Sequence, residues 1–144
     1  MKVIFIDRDG TLIDEPADGY IDSLDKLEVL PDVIESLQKL QSAVFTLVMI
    51  SNQPGLGTEK FPSDNFWTPQ NRLMSIFNEN AITFSNTFFC PHFREDNCSC
   101  MKPKTGLIQR FLDENTVDLV HSYTIGDRET DIQLAKNIGL STYE

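Results

Sequence analysis

Four short apolar runs punctuate the chain: VIFID at 3–7, FTLVMIS at 45–51, TFFC at 87–90 and SYTIG at 122–126. Each is too short for a typical helix and apolar almost throughout, which is the pattern of a strand covered on both faces. Between them the spacing turns helical. Val33, Ile34, Leu37 and Leu40 follow Pro31, and Leu73, Met74, Ile76 and Phe77 follow Pro69, a residue that suits the first turn of a helix. Leu107, Ile108, Phe111 and Leu112 follow a Thr105 cap, while Ile132, Leu134, Ala135 and Ile138 run into Gly139, a C-terminal stop. Buried strands alternating with amphipathic helices predict an α/β fold, a Rossmann-like three-layer sandwich with a mainly parallel sheet. Residues 54–68, PGLGTEKFPSDNFWT, combine turn formers with aromatics that lack periodicity. They read as a long loop beside the second strand that shapes substrate access. No repeats or low-complexity tracts interrupt this order.

Length and charge narrow the picture. At 144 residues and 40% hydrophobic content, the expectation is one domain over residues 1–144 with a core of its own. A net charge of −10 argues against nucleic acid as a partner, because binding a phosphate backbone needs clustered Lys and Arg. No apolar run approaches the roughly 20 residues of a membrane span, and no signal peptide is recognisable. The expectation is a soluble, cytoplasmic protein without membrane contact.

Ligands of open α/β sheets bind beyond the carboxyl ends of the strands. Asp7, Ser51 and Asp127 each end an apolar run, and Asp9 lies just past the first. Two carboxylates forced together resist ionising unless a divalent cation with oxygen ligands joins them, and Mg²⁺ is the natural candidate. An aspartate beside Mg²⁺ can attack phosphorus to give an aspartyl-phosphate. A carboxyl group two residues on can protonate the departing alcohol and then activate water. Gly10 lets the backbone turn sharply beneath such a site. Read singly, a strand-terminal aspartate only caps a turn. The D-x-D-G-T-L context after an apolar strand favours the chemistry.

The cysteines supply a second signal. Three thiols in eleven residues, CPHFREDNCSC at 90–100, make poor arithmetic for disulfides. With His92, however, Cys90, Cys98 and Cys100 complete a closed tetrahedral Zn²⁺ site, structural rather than catalytic. The bland alternative is three free thiols and a surface histidine. Zinc here would pin a loop that leads into Met101 and Lys102.

The ordered motifs DRDGTL at 7–12, ISN at 50–52, KPK at 102–104 and GDRETD at 126–131 resemble the four motifs of the haloacid-dehalogenase (HAD) superfamily of phosphotransferases. The resemblance implies Asp7 as nucleophile and Asp9 as general acid and base. It implies that Ser51 and Asn52 hold the phosphoryl group while Lys102 neutralises it, with Lys104 a competitor for that place. Mg²⁺ would be held by Asp7, the Asp9 backbone carbonyl and Asp127, with Asp131 in support. Within the superfamily the zinc loop is similar to that of histidinol-phosphate phosphatases, including the N-terminal part of the bifunctional histidine-biosynthesis enzyme, and of D-glycero-D-manno-heptose bisphosphate phosphatases. The short spacing from His92 to Cys98 and the stretches FIDRDGTLIDEP and LVMISNQPGLGT look more like the former. That likeness implies hydrolysis of L-histidinol phosphate in histidine biosynthesis, alone or beside a fused or separate dehydratase domain. Such a substrate carries an ammonium, and Glu15, on the segment that follows the catalytic loop, is the acid expected to meet it; the bland alternative is a solvated surface charge. The likeness also exposes a departure: those relatives usually carry Arg where this chain has Met101. A sugar-phosphate phosphatase and a non-catalytic phospho-acceptor or zinc-stabilised binding module are the alternatives.

Overall fold

The computed structural model describes residues 1–143; Glu144, the last residue of the expected domain, lies outside the described residues. Strands β1 (Lys2–Ile6), β2 (Phe45–Asn52), β3 (Phe84–Cys90), β4 (Tyr123–Ile125) and β5 (Ser141–Tyr143) form one sheet in the order β3-β2-β1-β4-β5. Every neighbouring pair is parallel. Helices α1 (Val33–Ser42), α2 (Ser63–Glu79), α3 (Gly106–Glu114) and α4 (Glu129–Ile138) cover it. The period-two geometry of β1 sorts its side chains into two cores. Ile4 and Ile6 pack with Leu37 of α1 and with Leu73 and Phe77 of α2. Val3 and Phe5 pack with Ile108 and Phe111 of α3 and with Leu134 and Ala135 of α4. The sandwich expected from the pattern is thus realised, with a fifth strand of three residues that the pattern did not reveal.

The boundaries of α3 and α4 match the expected start after Thr105 and the stop at Gly139, which takes the left-handed conformation at φ 82°. The second helix departs from expectation. The presumed loop ends early, because α2 begins at Ser63, and Pro69 lies inside the helix rather than in its first turn. An interior proline costs ~3 kcal/mol, whereas full burial of a Phe or Leu side chain contributes ~1.5–3 kcal/mol. Phe66, Leu73 and Phe77 are all fully buried along α2, so packing outweighs the missing hydrogen bond. Phe66, which looked aperiodic in the sequence, is the first residue of that buried stripe and packs edge-on against Phe61 and Phe89. β3 also begins earlier than expected, at Phe84, with Ser85 and Asn86 exposed on an edge strand.

Candidate active site

The strand order reverses at β1, with β2 on one side and β4 on the other, and this is where open parallel sheets place their ligands. Ile6 sits opposite Met49 and Ile125, so the residues that follow these three positions, including Ser51 and Asn52 at the end of β2, emerge together. The Asp7 amide donates to the Ile125 carbonyl at 2.9 Å, which fixes the backbone of Asp7 against the end of β4. Asp7, Asp9, Ser51, Asn52 and Lys102 line one cleft of about 230 Å³, together with Glu15 and Arg128.

Lys102 is the hub. Its ammonium donates to Asp7 Oδ1 at 2.9 Å, to Asp131 Oδ1 at 2.7 Å and to the Ile50 carbonyl at 3.2 Å. Burial works against its charge, but attraction from Asp7 and Asp131 outweighs burial and holds the pKa above its ordinary value. Lys104, by contrast, is exposed and donates to the Cys98 carbonyl, so it does not share this place. The Asn52 side chain brackets the Lys102 peptide, accepting from its amide at 2.9 Å and donating to its carbonyl at 3.3 Å. That amide therefore positions Lys102, a use that the sequence did not suggest.

Carboxylate oxygens of Asp7, Asp127 and Asp131 lie within 4.8 Å of one another. Burial, joined by the nearness of Asp7, lifts the Asp127 carboxyl above its ordinary value, and burial does the same for Asp131 against the pull of Lys102. Asp131 Oδ2 is buried and has no hydrogen-bond partner among the described residues. Three acids held this close with an unsatisfied oxygen suit a hard divalent cation. Gly10, at φ 81°, passes so near that a Cβ would collide with the Asp127 carboxylate. Asp9, lifted by burial against the pull of Arg8, accepts hydrogen bonds from Arg8 and Gln53. Glu15 is ion-paired with Arg128 across the mouth of the cleft. Arg8, Gln53 and Arg128 escaped the sequence reading. A charged letter locked between two strand-end aspartates was the only available signal for Arg8.

Some residues away, the four expected metal ligands converge. One donor atom from each of Cys90, His92, Cys98 and Cys100 falls within a 4.8 Å cluster. A tetrahedral ion with sulfur at ~2.3 Å sets sulfurs roughly 3.7 Å apart. Cys90 and Cys98 are 3.6 Å apart and Cys90 lies 3.5 Å from His92 Nδ1, while Cys90 and Cys100 are closer, at 2.7 Å. All three are free thiols. Burial pushes Cys90 and Cys100 up; Cys98, despite burial, is held at about 6 by the amides of Cys100 and Met101. A thiol ready to ionise among soft donors can hold a metal ion.

Among the described residues no helix is long and apolar enough to cross a membrane. Curated relatives include the histidine biosynthesis bifunctional protein HisB of Actinobacillus pleuropneumoniae, 49% identical over 142 residues, which covers 98% of this chain and 39% of that protein. HisB of Baumannia cicadellinicola is 51% identical over 142 residues, 98% of this chain and 40% of that one. The chain thus spans about two fifths of the length of these relatives. Among solved structures it is similar to D,D-heptose 1,7-bisphosphate phosphatase from B. bronchiseptica, complexed with magnesium and phosphate, at a TM-score of 0.88 and 27% identity over 99% of this chain and 79% of that one. The family described as polynucleotide kinase 3 phosphatase matches residues 2–143, and with the parallel sheet and its strand-end aspartates this match shows that the chain belongs to that family of HAD-like phosphatase domains.

Proposed function

We propose that this chain hydrolyses the phosphomonoester of L-histidinol phosphate to L-histidinol and inorganic phosphate. The observation that carries this reading is the charge of the cleft. Its lining holds four acids, Asp7, Asp9, Glu15 and Asp18, against two bases, Lys102 and Arg128. A phosphate dianion alone is repelled by such a surface. A substrate that brings an ammonium and an imidazole beside its phosphate, with a divalent cation between the aspartates, restores the balance. A heptose bisphosphate, the substrate named for the solved relative, carries two phosphates and no cation. A polynucleotide is polyanionic throughout, so the family's name does not settle the substrate. The volume, below the roughly 300–1,000 Å³ of pockets for drug-sized ligands, also suits a small monoester.

In this reading Asp7 attacks phosphorus, the bond to the leaving oxygen breaks, and the Asp9 carboxyl gives its proton to that oxygen. Asp9, now a carboxylate, takes a proton from the water that attacks the aspartyl-phosphate, and Asp7 is released. Ser51 and the strand-end backbone at Asn52 hold the phosphoryl oxygens, and Lys102 balances their charge. Mg²⁺, held by Asp7, Asp127 and the Asp9 carbonyl with Asp131 in support, would supply electrostatic stabilisation of the transferring phosphoryl group. Glu15 meets the substrate ammonium. Two relatives near 50% identity, described as bifunctional proteins of histidine biosynthesis, support a substrate from that biosynthesis, and their greater length is consistent with a further domain, for which we propose the dehydratase, fused or separate.

Phosphate release from L-histidinol phosphate, a heptose bisphosphate and a 3′-phosphorylated oligonucleotide, each with and without Mg²⁺, tests the assignment. Histidinol phosphate is expected to lead in kcat/KM by at least about tenfold, a margin of about 1.4 kcal/mol. Preference for either of the others overturns it. Glu15→Gln should raise KM for histidinol phosphate about tenfold, since it also leaves Arg128 facing the ammonium unpaired, and should move KM for p-nitrophenyl phosphate less than about twofold. Equal rises on both esters would return Glu15 to a purely structural pairing with Arg128.

Zn²⁺ is the proposed occupant of the thiol cluster. Metal analysis should find about one zinc per chain at this four-ligand site. Cys98→Ser should lower the melting temperature and raise KM, because it removes one of the four ligand atoms of the cluster, and the loop that the metal would pin leads into Lys102. A zinc-free, fully active protein that the substitution leaves unaltered would refute the assignment.

A further inference from the structure

Beneath the cleft floor lies a buried polar network. Arg8 is fully buried at 0% exposure, Gln70 is at 1% and Gln53 at 2%. Arg8 Nη1 donates to Asp9 Oδ1 at 2.7 Å and its Nε donates to Gln70 Oε1 at 2.8 Å. The guanidinium also lies 4.9 Å from the centre of the Phe66 ring, and its Nη2 has no hydrogen-bond partner among the described residues. From the other side, Gln53 Nε2 donates to Asp9 Oδ2 at 3.1 Å and to Ser51 Oγ at 3.0 Å. The two hydrogens of one amide nitrogen thus reach two groups of the site. The backbone of Gln53 is anchored in turn, its N–H donating to the Cys90 carbonyl at 2.8 Å.

We propose that Gln53 and Arg8 are positioning residues that hold both oxygens of Asp9 for proton transfer to the leaving group, and that Gln53 ties this acid to the phosphoryl-holding hydroxyl of Ser51. The inference rests on the assignment of Asp9 as general acid and base. That role requires the carboxyl group to gain and lose a proton without changing place. Each oxygen has two lone pairs, so Arg8 and Gln53 can keep one on each occupied while a third carries the exchanging proton. Among the described residues Asp9 is the one carboxylate bonded to Arg8, so carrying it away toward a cationic substrate would strand a buried charge. The anchor therefore keeps Asp9 aimed at the leaving oxygen. It does so from residues that never touch substrate, with Gln70 and Phe66 of α2 steadying Arg8 from a distance of about sixty positions in sequence.

A merely structural network would affect all substrates alike, whereas a positioning role depends on the leaving group. An aryl phosphate departs with little protonation and an alkyl phosphate needs much. The experiment measures kcat/KM for L-histidinol phosphate and p-nitrophenyl phosphate in wild type, Asp9→Asn, Gln53→Met and Gln53→Glu. The ratio of the two values within each variant is independent of the fraction of folded enzyme. Gln53→Met is expected to lower the alkyl value about thirtyfold and the aryl value about threefold, a tenfold change in ratio, and Gln53→Glu, which sets a like charge against Asp9, should change it further. A selective alkyl loss in Asp9→Asn with unchanged ratios in both Gln53 variants overturns the positioning role alone. An unchanged ratio in Asp9→Asn overturns the acid assignment, and the positioning role falls with it.

Discussion

Asp7→Asn is expected to lower turnover of every phosphomonoester by at least about a thousandfold while the fold and the thiol cluster persist. The substitution keeps the shape of the side chain and can keep accepting from Lys102, whose ammonium is 2.9 Å from Oδ1. What disappears is the attacking charge. The neighbouring acids are engaged elsewhere: Asp9 accepts from Arg8 and Gln53, Asp131 accepts from Lys102, and Asp127 belongs to the carboxylate cluster suited to the cation. Lys102 keeps Asp131 as its charged partner, and the neutral amide no longer repels Asp127 and Asp131, so the variant should melt within a few degrees of wild type. Single-turnover assays with histidinol phosphate, quenched in acid and examined for a protein-bound phosphoryl group, give the readout. Retained turnover, or an acid-stable phosphoprotein in Asp7→Asn, would remove Asp7 from the nucleophile's role.

The second large effect belongs to Lys102→Met, and it is felt first in stability. Lys102 is paired with two carboxylates whose side chains are only 8% and 5% exposed. Removing one partner from a buried pair costs ~3–5 kcal/mol, which in a domain of this size lowers the melting temperature on the order of 10 °C. The pH dependence has a definite sign. Asp131 already has its pKa raised by burial and by Asp7, with Lys102 as the opposing influence. Without the lysine its folded pKa rises further above the unfolded value, so the folded state binds the extra proton more tightly. The deficit relative to wild type is therefore largest at neutral pH and shrinks as the pH falls through the variant's folded pKa toward the lower, though still raised, folded pKa of wild type. Mg²⁺ should restore part of the lost stability, because a cation among Asp7, Asp127 and Asp131 meets the same charges. Turnover should fall by about a hundredfold or more even in the rescued protein, since charge balance on the phosphoryl oxygens is lost. A variant that melts like wild type at pH 7 would show that the pair does not stabilise the fold.

Local signals carried much of this architecture. The unbroken apolar runs marked four strands because strands buried on both faces admit few polar residues. The convergence of Asp7, Ser51 and Asp127 followed from their position after such runs, and the Cys–His cluster from spacing alone. What stayed hidden depends on partners far away in sequence. Nothing near Arg8 reveals that Gln70 and Phe66 will receive it, so a charged residue at full burial could not be anticipated. Pro69 suits a first turn by local propensity, yet it lies inside α2 because the packing of Phe66, Leu73 and Phe77 outweighs that preference. The motif marks Asn52 for the phosphoryl group, whereas its further tie to the Lys102 peptide spans 50 positions and leaves no local signal. Met101 lies half-buried beside Lys102 in sequence, and nothing in the structure explains the residue chosen there.

The place of β1 in the sheet sets which parts of the site can breathe. This strand has hydrogen-bonded neighbours on both sides and a core on each face, so it belongs to the part of the molecule that opens only in global unfolding. Asp7, tied to the end of that strand, shares its protection. The opposite wall, from Asp14 to Gly19, is largely exposed and meets the rest of the site through the Glu15–Arg128 pair, so its amides, beyond those of Asp14 and Gly19 that donate to Glu28 and Pro16, belong to the fast-exchanging end of the scale. In the proposed reaction that wall is the side of the cleft free to give way to substrate, over a floor held by the central strand.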